Sequence, residues 1–142
     1  MTPQASANAP RQPVYRAPMR ARDREEPGAA WGLANGVVAI GRDPARIAQR
    51  FPDVPEGAFV WTRDDDGHFW LGQITGPMRT VSSPVGLPLV RDTRWLDPPF
   101  GAHEVPAAVA ATYARGGRNF QRTHSETAER ETAALWRDRD GR

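Results

Sequence analysis

Apolar residues in the middle of this chain occur in short runs that are separated by glycine, proline and aspartate. The run GVVAIG occupies 36–41, the aromatic-rich runs FVWTR and HFWLGQIT occupy 59–63 and 68–75, and LPLVRDTRWL occupies 87–96. Short runs of β-branched and aromatic residues between turn residues are typical of strands. The DDDG break between the aromatic-rich runs predicts a hairpin, and Gly76-Pro77 is predicted to end its second strand.

Other segments have helical features. We expect a two-turn helix after Asp43-Pro44, a second helix over 106–114, and a third over 124–138 with Thr123 and Glu126 as its capping box. One more short strand is expected at 118–123. About five or six strands with flanking helices predict a mainly β (α+β) fold, a small and partly closed β-barrel with a C-terminal helix.

The composition divides the chain of 142 residues into three parts. Residues 1–28 are rich in proline and poor in aliphatic side chains, so we expect a disordered tail. The barrel domain is expected over 29–124, and the C-terminal helix and tail over 125–142. The chain shows neither the apolar region of a signal peptide nor an apolar run of the ~20 residues that a membrane span needs, so a soluble, cytoplasmic protein is expected.

The basic residues have an unusual composition. All 19 are arginine, there is no cysteine, and the net charge is only +2. Without cysteine, disulfides and thiolate-bound metals are excluded. Arginine suits bidentate contacts to phosphates and base edges, but GC-biased codon use explains the same preference. The charge therefore agrees with nucleic-acid binding without establishing it.

The predicted hairpin has apolar residues on both faces, because Phe59-Val60-Trp61 and Phe69-Trp70-Leu71 are consecutive. A loop of two or four residues places Phe59, Trp61, Trp70 and Ile74 on one face and Val60, Phe69 and Leu71 on the other. A three-residue loop would change these sets. One face is expected to form the barrel interior, and the other face must be covered by helices or meet a ligand.

Four of the five tryptophans, Trp31, Trp61, Trp70 and Trp95, are candidates either for the core or for a ligand pocket. Aromatic side chains dominate hydrophobic cores, but they also stack on bases, at ~1–3 kcal/mol per base. We expect Trp61 to be the more buried, because it can cover Gly72 across the hairpin. Trp70 and Trp95 are the better pocket candidates.

The order of these motifs resembles the EVE/YTH-like domains of the PUA-like superfamily, which occur in bacteria and phages alone or fused to restriction nucleases. The similar segments are GVVAIG (36–41), FVWTRDDDGHFWLGQITGP (59–77), VRDTRWL (90–96) and VPAAV (105–109). Together they span about 36–122, most of the expected domain. The resemblance implies a nucleic-acid reader fold.

Three positions depart from the pattern of that family. Arg42 stands where an aromatic residue often follows the G-x-V-A-I-G strand, Ala58 replaces an acidic residue, and Met78 replaces an aromatic residue. If the missing aromatic residues belong to a base-holding pocket, this chain has lost that pocket or has built it from other residues.

Together these features predict a non-enzymatic nucleic-acid-binding module that reads a flipped or modified base of DNA or RNA in a tryptophan-lined pocket. The candidate binding residues are Trp31, Trp70, Trp95, Arg42, Arg91, Arg94, Arg118 and Arg122. The alternative is a protein-interaction or inhibitor protein of a phage or defence system, with the apolar hairpin face as its interface.

Catalytic and metal motifs give no support to an enzyme. The chain has no G-x-S-x-G elbow and no glycine-rich phosphate loop. Asp64-Asp65-Asp66 beside Gly67 is typical of a solvated turn. His68, His103 and His124 are scattered without the spacing of a metal site. No cofactor and no metal are therefore expected.

Overall fold

The computed structural model describes residues 11–21, 24, 27–117 and 119–141, and these residues form one mixed sheet with helices on both faces. The strands are β1 (Val14–Arg16), β2 (Val37–Ile40), β3 (Phe59–Arg63), β4 (Phe69–Thr80), β5 (Leu89–Trp95) and β6 (Gln121–Arg122). The helices are α1 (Ala29–Asn35), α2 (Ala45–Arg50), α3 (Ala107–Ala114) and α4 (Glu126–Asp140), with single 3-10 turns at Phe51–Asp53 and Ala102–Glu104. The strand order is β2-β5-β4-β3-β1-β6. The prediction of an α+β fold with about six strands, flanking helices and a C-terminal helix is confirmed. The described helices are as extensive as the strands, so the fold is not mainly β, and the closure into a PUA-like barrel stays a prediction.

The N-terminal segment belongs to the fold. β1 pairs in parallel with β3, Val14 opposite Phe59, and antiparallel with β6. Val14, Ala17, Met19 and Ala21 are each at most 2% exposed. The predicted disordered tail over 1–28 is therefore wrong for 11–21, while 1–10 lie outside the described residues. A three-residue strand with strands on both sides is held by its pairing, which composition does not reveal.

The hairpin register differs from the predicted one. Trp61 lies opposite Leu71 and Thr62 opposite Trp70, because five residues, 64–68, connect the strands. Trp61 and Leu71 consequently share one face of the sheet, together with Phe59 and Phe69. The other face carries Val60, Thr62, Trp70, Gly72 and Ile74.

β4 also continues past Gly76-Pro77, where the sequence predicted its end. It runs to Thr80 and pairs with β5 on both sides of a register shift between Ile74 and Met78. A β-bulge of this kind accommodates a proline that cannot donate to the strand ladder. The bulge therefore lets one long strand carry both the hairpin and the pairing with the start of β5.

Two hydrophobic cores explain why the hairpin is apolar on both faces. On the Trp61 face, α3 and α4 contribute Val109, Ala128 and Trp136, which pack with Phe59 and Phe100. On the Val60 face, the cover comes from residues 17–21, α1 and the segment around α2 (Ala17, Met19, Ala29, Phe51 and Val54 among them). Helices and the N-terminal segment thus cover both faces of the hairpin.

α4 begins at a serine cap. The Ser125 hydroxyl accepts a hydrogen bond from the Ala128 N–H at 3.1 Å, so the predicted capping box at Thr123 is wrong by two residues. Glu126 and Glu129 in the first turn and Arg137 and Arg139 in the last turn complement the helix dipole. Among the described helices, none combines the length and the apolar surface that a bilayer crossing requires.

Candidate nucleic-acid interface

Three arginines at intervals of four residues, Arg42, Arg46 and Arg50, line a concave surface beside α2. Arg46 and Arg50 lie one helical turn apart on α2, and Arg42 precedes the helix. All three side chains are exposed. None of them forms an ion pair with another described residue, so their charges are available to an anion.

The first concavity, here called the central cavity, has a volume of about 620 Å³. Four separate parts of the chain form it: residues 17–20, the end of β2 with the start of α2, the 86–88 turn, and residues 119–120. Its apolar walls include Ile40, Ile47, Leu87 and Phe120, and its polar groups belong to Arg20, Arg42, Asp43 and Asn119. The central cavity therefore combines apolar walls with hydrogen-bond donors and acceptors.

The second concavity, here called the α2–β6 cavity, has a volume of about 540 Å³. The side chains of Arg46, Arg50, Arg122 and His124 line it, with Asp53 as the acidic residue of the lining. Tyr15 stacks on Phe120 at 4.8 Å between ring centroids, and burial raises the pKa of the Tyr15 hydroxyl. Ile47, Asn119 and Phe120 line both this cavity and the central cavity.

The third concavity, here called the Arg16 cavity, has a volume of about 430 Å³ and lies on the other side of residues 17–20. Arg16 is only 4% exposed; its Nη1 donates to the Thr112 carbonyl at 2.5 Å, and its Nε donates to the Asn119 carbonyl at 3.4 Å. Burial lowers the pKa of the Arg16 guanidinium. Arg63 lies over the Tyr113 ring, 5.5 Å from its centroid.

The five arginines that the sequence proposed for phosphate contacts have different environments. Arg42 lines the central cavity, and Arg122 lines the α2–β6 cavity while it pairs with Glu129 at 3.4 Å. Arg94 pairs with Asp140, lies over the Trp136 ring, 5.3 Å from its centroid, and lines none of the three cavities. Arg118 lies outside the described residues.

The prediction that Arg91 is a binding residue is wrong. It is 2% exposed, its Nε donates to the Gly76 carbonyl at 2.8 Å, and its Nη1 donates to the carbonyls of Phe51 and Val54. Burial lowers the pKa of this guanidinium as well. Arg91 therefore joins the β4 bulge to the 3-10 turn, and it lines none of the three cavities.

The predicted tryptophan-lined pocket is not present among these three cavities, since no tryptophan lines any of them. Trp70 and Trp95 are half-buried on the same sheet face, and Trp31 is half-buried on α1. The Trp70 indole donates to the Asp64 carboxylate at 2.9 Å, and the Trp95 indole donates to the Val37 carbonyl at 3.2 Å. These bonds fix the rings as parts of the fold.

The Trp95 ring covers Gly72 in the sheet. A Cβ at this position would lie 2.6 Å from the Trp95 ring and 2.6 Å from Thr93. The expectation that Trp61 covers Gly72 is therefore wrong, because the observed register places Trp61 on the opposite face. Trp61 is nevertheless fully buried, at 0% exposure.

The aspartate turn is organised around one carboxylate. Asp64 accepts hydrogen bonds from the backbone N–H groups of Asp66 and His68, each at 2.9 Å, besides the Trp70 indole. Burial alone would raise the pKa of Asp64, but these hydrogen bonds outweigh it and lower the pKa. Ligand atoms of Asp64, Asp66 and His68 lie within 4.8 Å of one another, yet the bonds to Asp64 explain this arrangement, so we assign no metal to it.

The sequence analysis missed several residues that line the α2–β6 cavity, namely Tyr15, Arg46, Arg50, Asn119 and Phe120. The spacing of Arg46 and Arg50 was visible in the sequence, because residues four apart share a helix face. Tyr15 and Phe120 come from segments expected to be a tail and a loop or short strand, and their stacking depends on the pairing of β1 with β6.

No protein-family model, curated protein or solved structure matches the chain. The resemblance to EVE/YTH-like domains consequently depends on short motifs. Three of them lie on β2, β5 and β4, which are neighbours in the sheet. Membership of that family stays a prediction.

Proposed function

We propose that this protein is a nucleic-acid-binding module without catalytic activity, which holds one base in the central cavity and contacts phosphates with the arginines around it. The observation that carries the proposal is the row of Arg42, Arg46 and Arg50, which have no ion-pair partner among the described residues, beside two cavities that share the wall of Ile47 and Phe120. Phosphate contacts supply most of the affinity of such proteins, and a base cavity supplies selectivity.

The central cavity has the properties of a base site. Its volume of about 620 Å³ lies within the range of small-molecule sites, roughly 300–1,000 Å³. Ile47 and Phe120 offer apolar surfaces for the faces of a base. Asp43 accepts hydrogen bonds, whereas Arg42 donates them and Asn119 does both, which are the contacts that recognise base edges. A base turned out of its stack would replace water in this cavity.

The clustering of exposed arginines favours the surface beside α2. Some arginines elsewhere are neutralised by neighbouring carboxylates, as in the pairs Arg79–Asp92 and Arg94–Asp140, while others, such as Arg137, are exposed singly. Beside α2, three exposed guanidinium groups without a carboxylate partner among the described residues lie along two adjoining cavities. Arginine in this state is suited to bidentate phosphate binding.

The alternative, a protein interface on an apolar hairpin face, has no observation in its favour. Phe59, Val60, Trp61 and Leu71 are at most 5% exposed, because helices and the N-terminal segment cover both faces. A partner protein would therefore find no continuous apolar surface on the hairpin.

The proposal is tested by fluorescence anisotropy with labelled DNA and RNA oligonucleotides, single-stranded and duplex, with plain and modified bases, at low salt. We expect binding that weakens steeply with salt, and about tenfold weaker binding by the double variant Arg46→Gln/Arg50→Gln. Arg137→Gln is the matched control, because Arg137 is exposed on α4 and lines none of the three cavities. Absence of binding to every oligonucleotide, or equal affinity of the double variant and the control, would contradict the proposal.

The base site has a separate test. Ile47→Trp places a large side chain in the wall between the two cavities and should reduce the preference among bases. The salt dependence should stay unchanged, because no arginine is removed. If the variant discriminates among bases as the wild type does, the base lies elsewhere.

A further inference from the structure

We infer that the ligand is a single strand of nucleic acid, which runs from the α2–β6 cavity through the central cavity into the Arg16 cavity. This inference rests on the proposed function and specifies its substrate class. In this arrangement the base of one nucleotide occupies the central cavity, and the phosphates before and after it lie in the two outer cavities.

The cavities adjoin one another in that order. The α2–β6 cavity and the central cavity share Ile47, Asn119 and Phe120, and the central cavity shares Arg20 with the Arg16 cavity. The Arg16 side chain and the Asn119 carbonyl are also directly hydrogen-bonded. A flexible chain that enters beside α2 therefore reaches the Arg16 cavity across one continuous surface.

The Arg16 cavity is suited to an anion. Arg16 is buried and forms no ion pair with any other described residue; its guanidinium donates to the carbonyls of Thr112 and Asn119 and lies over the Tyr113 ring. Arg63, which lines the same cavity, is exposed and likewise has no carboxylate partner in the described part of the chain. A buried cation is normally compensated by an opposite charge, and a phosphate at this position would supply one.

Two aspartates bring negative charge to the Arg16 cavity, and their roles differ. Asp64 and Asp65 both line the Arg16 cavity. The Asp64 carboxylate is directed to Trp70 and to the backbone of its own turn, whereas Asp65 is exposed. The phosphate is therefore expected at Arg16 and Arg63.

A single strand fits this arrangement better than a duplex. In a duplex the bases are paired and stacked inside the helix, so that only a flipped nucleotide can enter a cavity. In a single strand, successive bases turn freely toward apolar and aromatic walls while the backbone follows a basic groove. Tyr15, which is half-buried and lines the adjoining α2–β6 cavity, is the aromatic side chain on which the neighbouring base would stack.

The first experiment measures affinity against strand length. Oligothymidines and oligouridines from one nucleotide upward are titrated by anisotropy competition, beside duplexes of the same sequence. We expect affinity to rise steeply up to about four nucleotides, the lower end of the length that a small β-barrel module covers, and then to level off. The duplex should bind about tenfold more weakly than the single strand at equal salt.

The second experiment assigns the outer cavities. Arg50→Gln in the α2–β6 cavity and Arg63→Gln in the Arg16 cavity should each weaken binding about fivefold, and each should reduce the slope of log K against log salt by about 0.7, the value for one lost phosphate contact on a single strand. Arg137→Gln again serves as the control for the loss of one exposed arginine. Thermal melts of all three variants verify folding.

The outcomes separate this inference from the proposed function. If binding saturates with a mononucleotide, if duplex binds as tightly as single strand, or if Arg63→Gln matches the control in slope, the inference is wrong and the proposed function stands. If no nucleic acid binds, both are wrong. Length dependence together with slope losses for both Arg50→Gln and Arg63→Gln would establish the path.

Discussion

The indole nitrogen of Trp61 donates a hydrogen bond to the Thr132 hydroxyl at 3.2 Å, and both residues are fully buried, at 0% exposure. This bond connects β3 to α4 through the core between the sheet and the C-terminal helix. A buried indole N–H needs a partner, and Thr132 supplies it from a helix that is distant in sequence.

Replacing Thr132 by valine removes this partner without changing the volume of the core. We expect the free energy of unfolding to fall by about 1–3 kcal/mol, because the Trp61 N–H is then buried without an acceptor. Thr127→Val, at an exposed position of the same helix, is the matched control and should change stability by less than about 0.5 kcal/mol. Urea unfolding monitored by tryptophan fluorescence measures both, and equal effects would show that the hydrogen bond is unimportant.

The two hairpin tryptophans should differ in their contribution to stability. Trp61→Ala leaves a large cavity among Phe100, Leu71 and Thr132 and should cost about 3–5 kcal/mol. Trp70 is half-buried, so Trp70→Ala should cost less than half as much. Urea melts of the two variants give the comparison. A cost for Trp70→Ala as large as that for Trp61→Ala would mean that Trp70 is a core residue.

The N-terminal segment should be required for stability. A variant that lacks residues 1–21 loses β1 and the buried side chains of Val14, Ala17 and Met19. We expect its melting temperature to fall by more than about 5 °C, or folding to fail. The single substitution Val14→Asp, which buries a charge at the same place, should reproduce most of the loss. An unchanged melting temperature for both variants would restore the disordered-tail prediction.

Arg91 and Arg42 should respond oppositely to the same substitution. Arg91→Ala removes a guanidinium that holds three backbone carbonyls and should cost about 3 kcal/mol or more. Arg42→Ala removes an exposed side chain, so stability should change by less than about 0.5 kcal/mol, while nucleic-acid binding should weaken. Calorimetric melts and anisotropy titrations measure the two quantities. A stable Arg91→Ala protein would show that these hydrogen bonds are dispensable.

The Asp64 turn should make stability depend on pH in the acid range. Because the folded-state pKa of Asp64 is lowered from the ordinary value of 3.8, the ionised carboxylate stabilises the fold at neutral pH. That contribution is lost as the pH falls from 3.8 toward the folded-state pKa. Asp64→Asn should flatten this part of the stability profile, whereas Asp65→Asn, at an exposed neighbour, should preserve it. A titration of Asp64 by NMR that gives an ordinary pKa would refute the assigned hydrogen bonds.

The local sequence pattern predicted those strands whose own residues are typical of β-structure. β2, β3 and β5 contain β-branched and aromatic residues between turn residues, and the structure contains strands there. β1 has only three residues, next to prolines, and exists because β3 and β6 pair with it on both sides. The hairpin register was missed because a loop length cannot be read from DDDG alone.

The candidate site was less accessible to sequence reasoning than the fold. Arg42 and Arg91 have the same side chain, and only the tertiary structure exposes one and buries the other. The central cavity is formed by four separated segments, so no local motif marks it. The regular spacing of Arg42, Arg46 and Arg50 was the one feature of the central and α2–β6 cavities that could be seen directly in the sequence.

The position of β1 between β3 and β6 determines when the sheet can be completed. The first described strand pairs with residues near 60 and with residues near 122, so its partners are made much later than β1 itself. Contacts of such long range slow folding, since the closure of a large loop precedes the gain from pairing. During synthesis β1 can pair with β3 once residues near 60 have emerged, but its other edge has no partner until β6 is made. A chain stalled before β6 therefore exposes a strand edge that can aggregate.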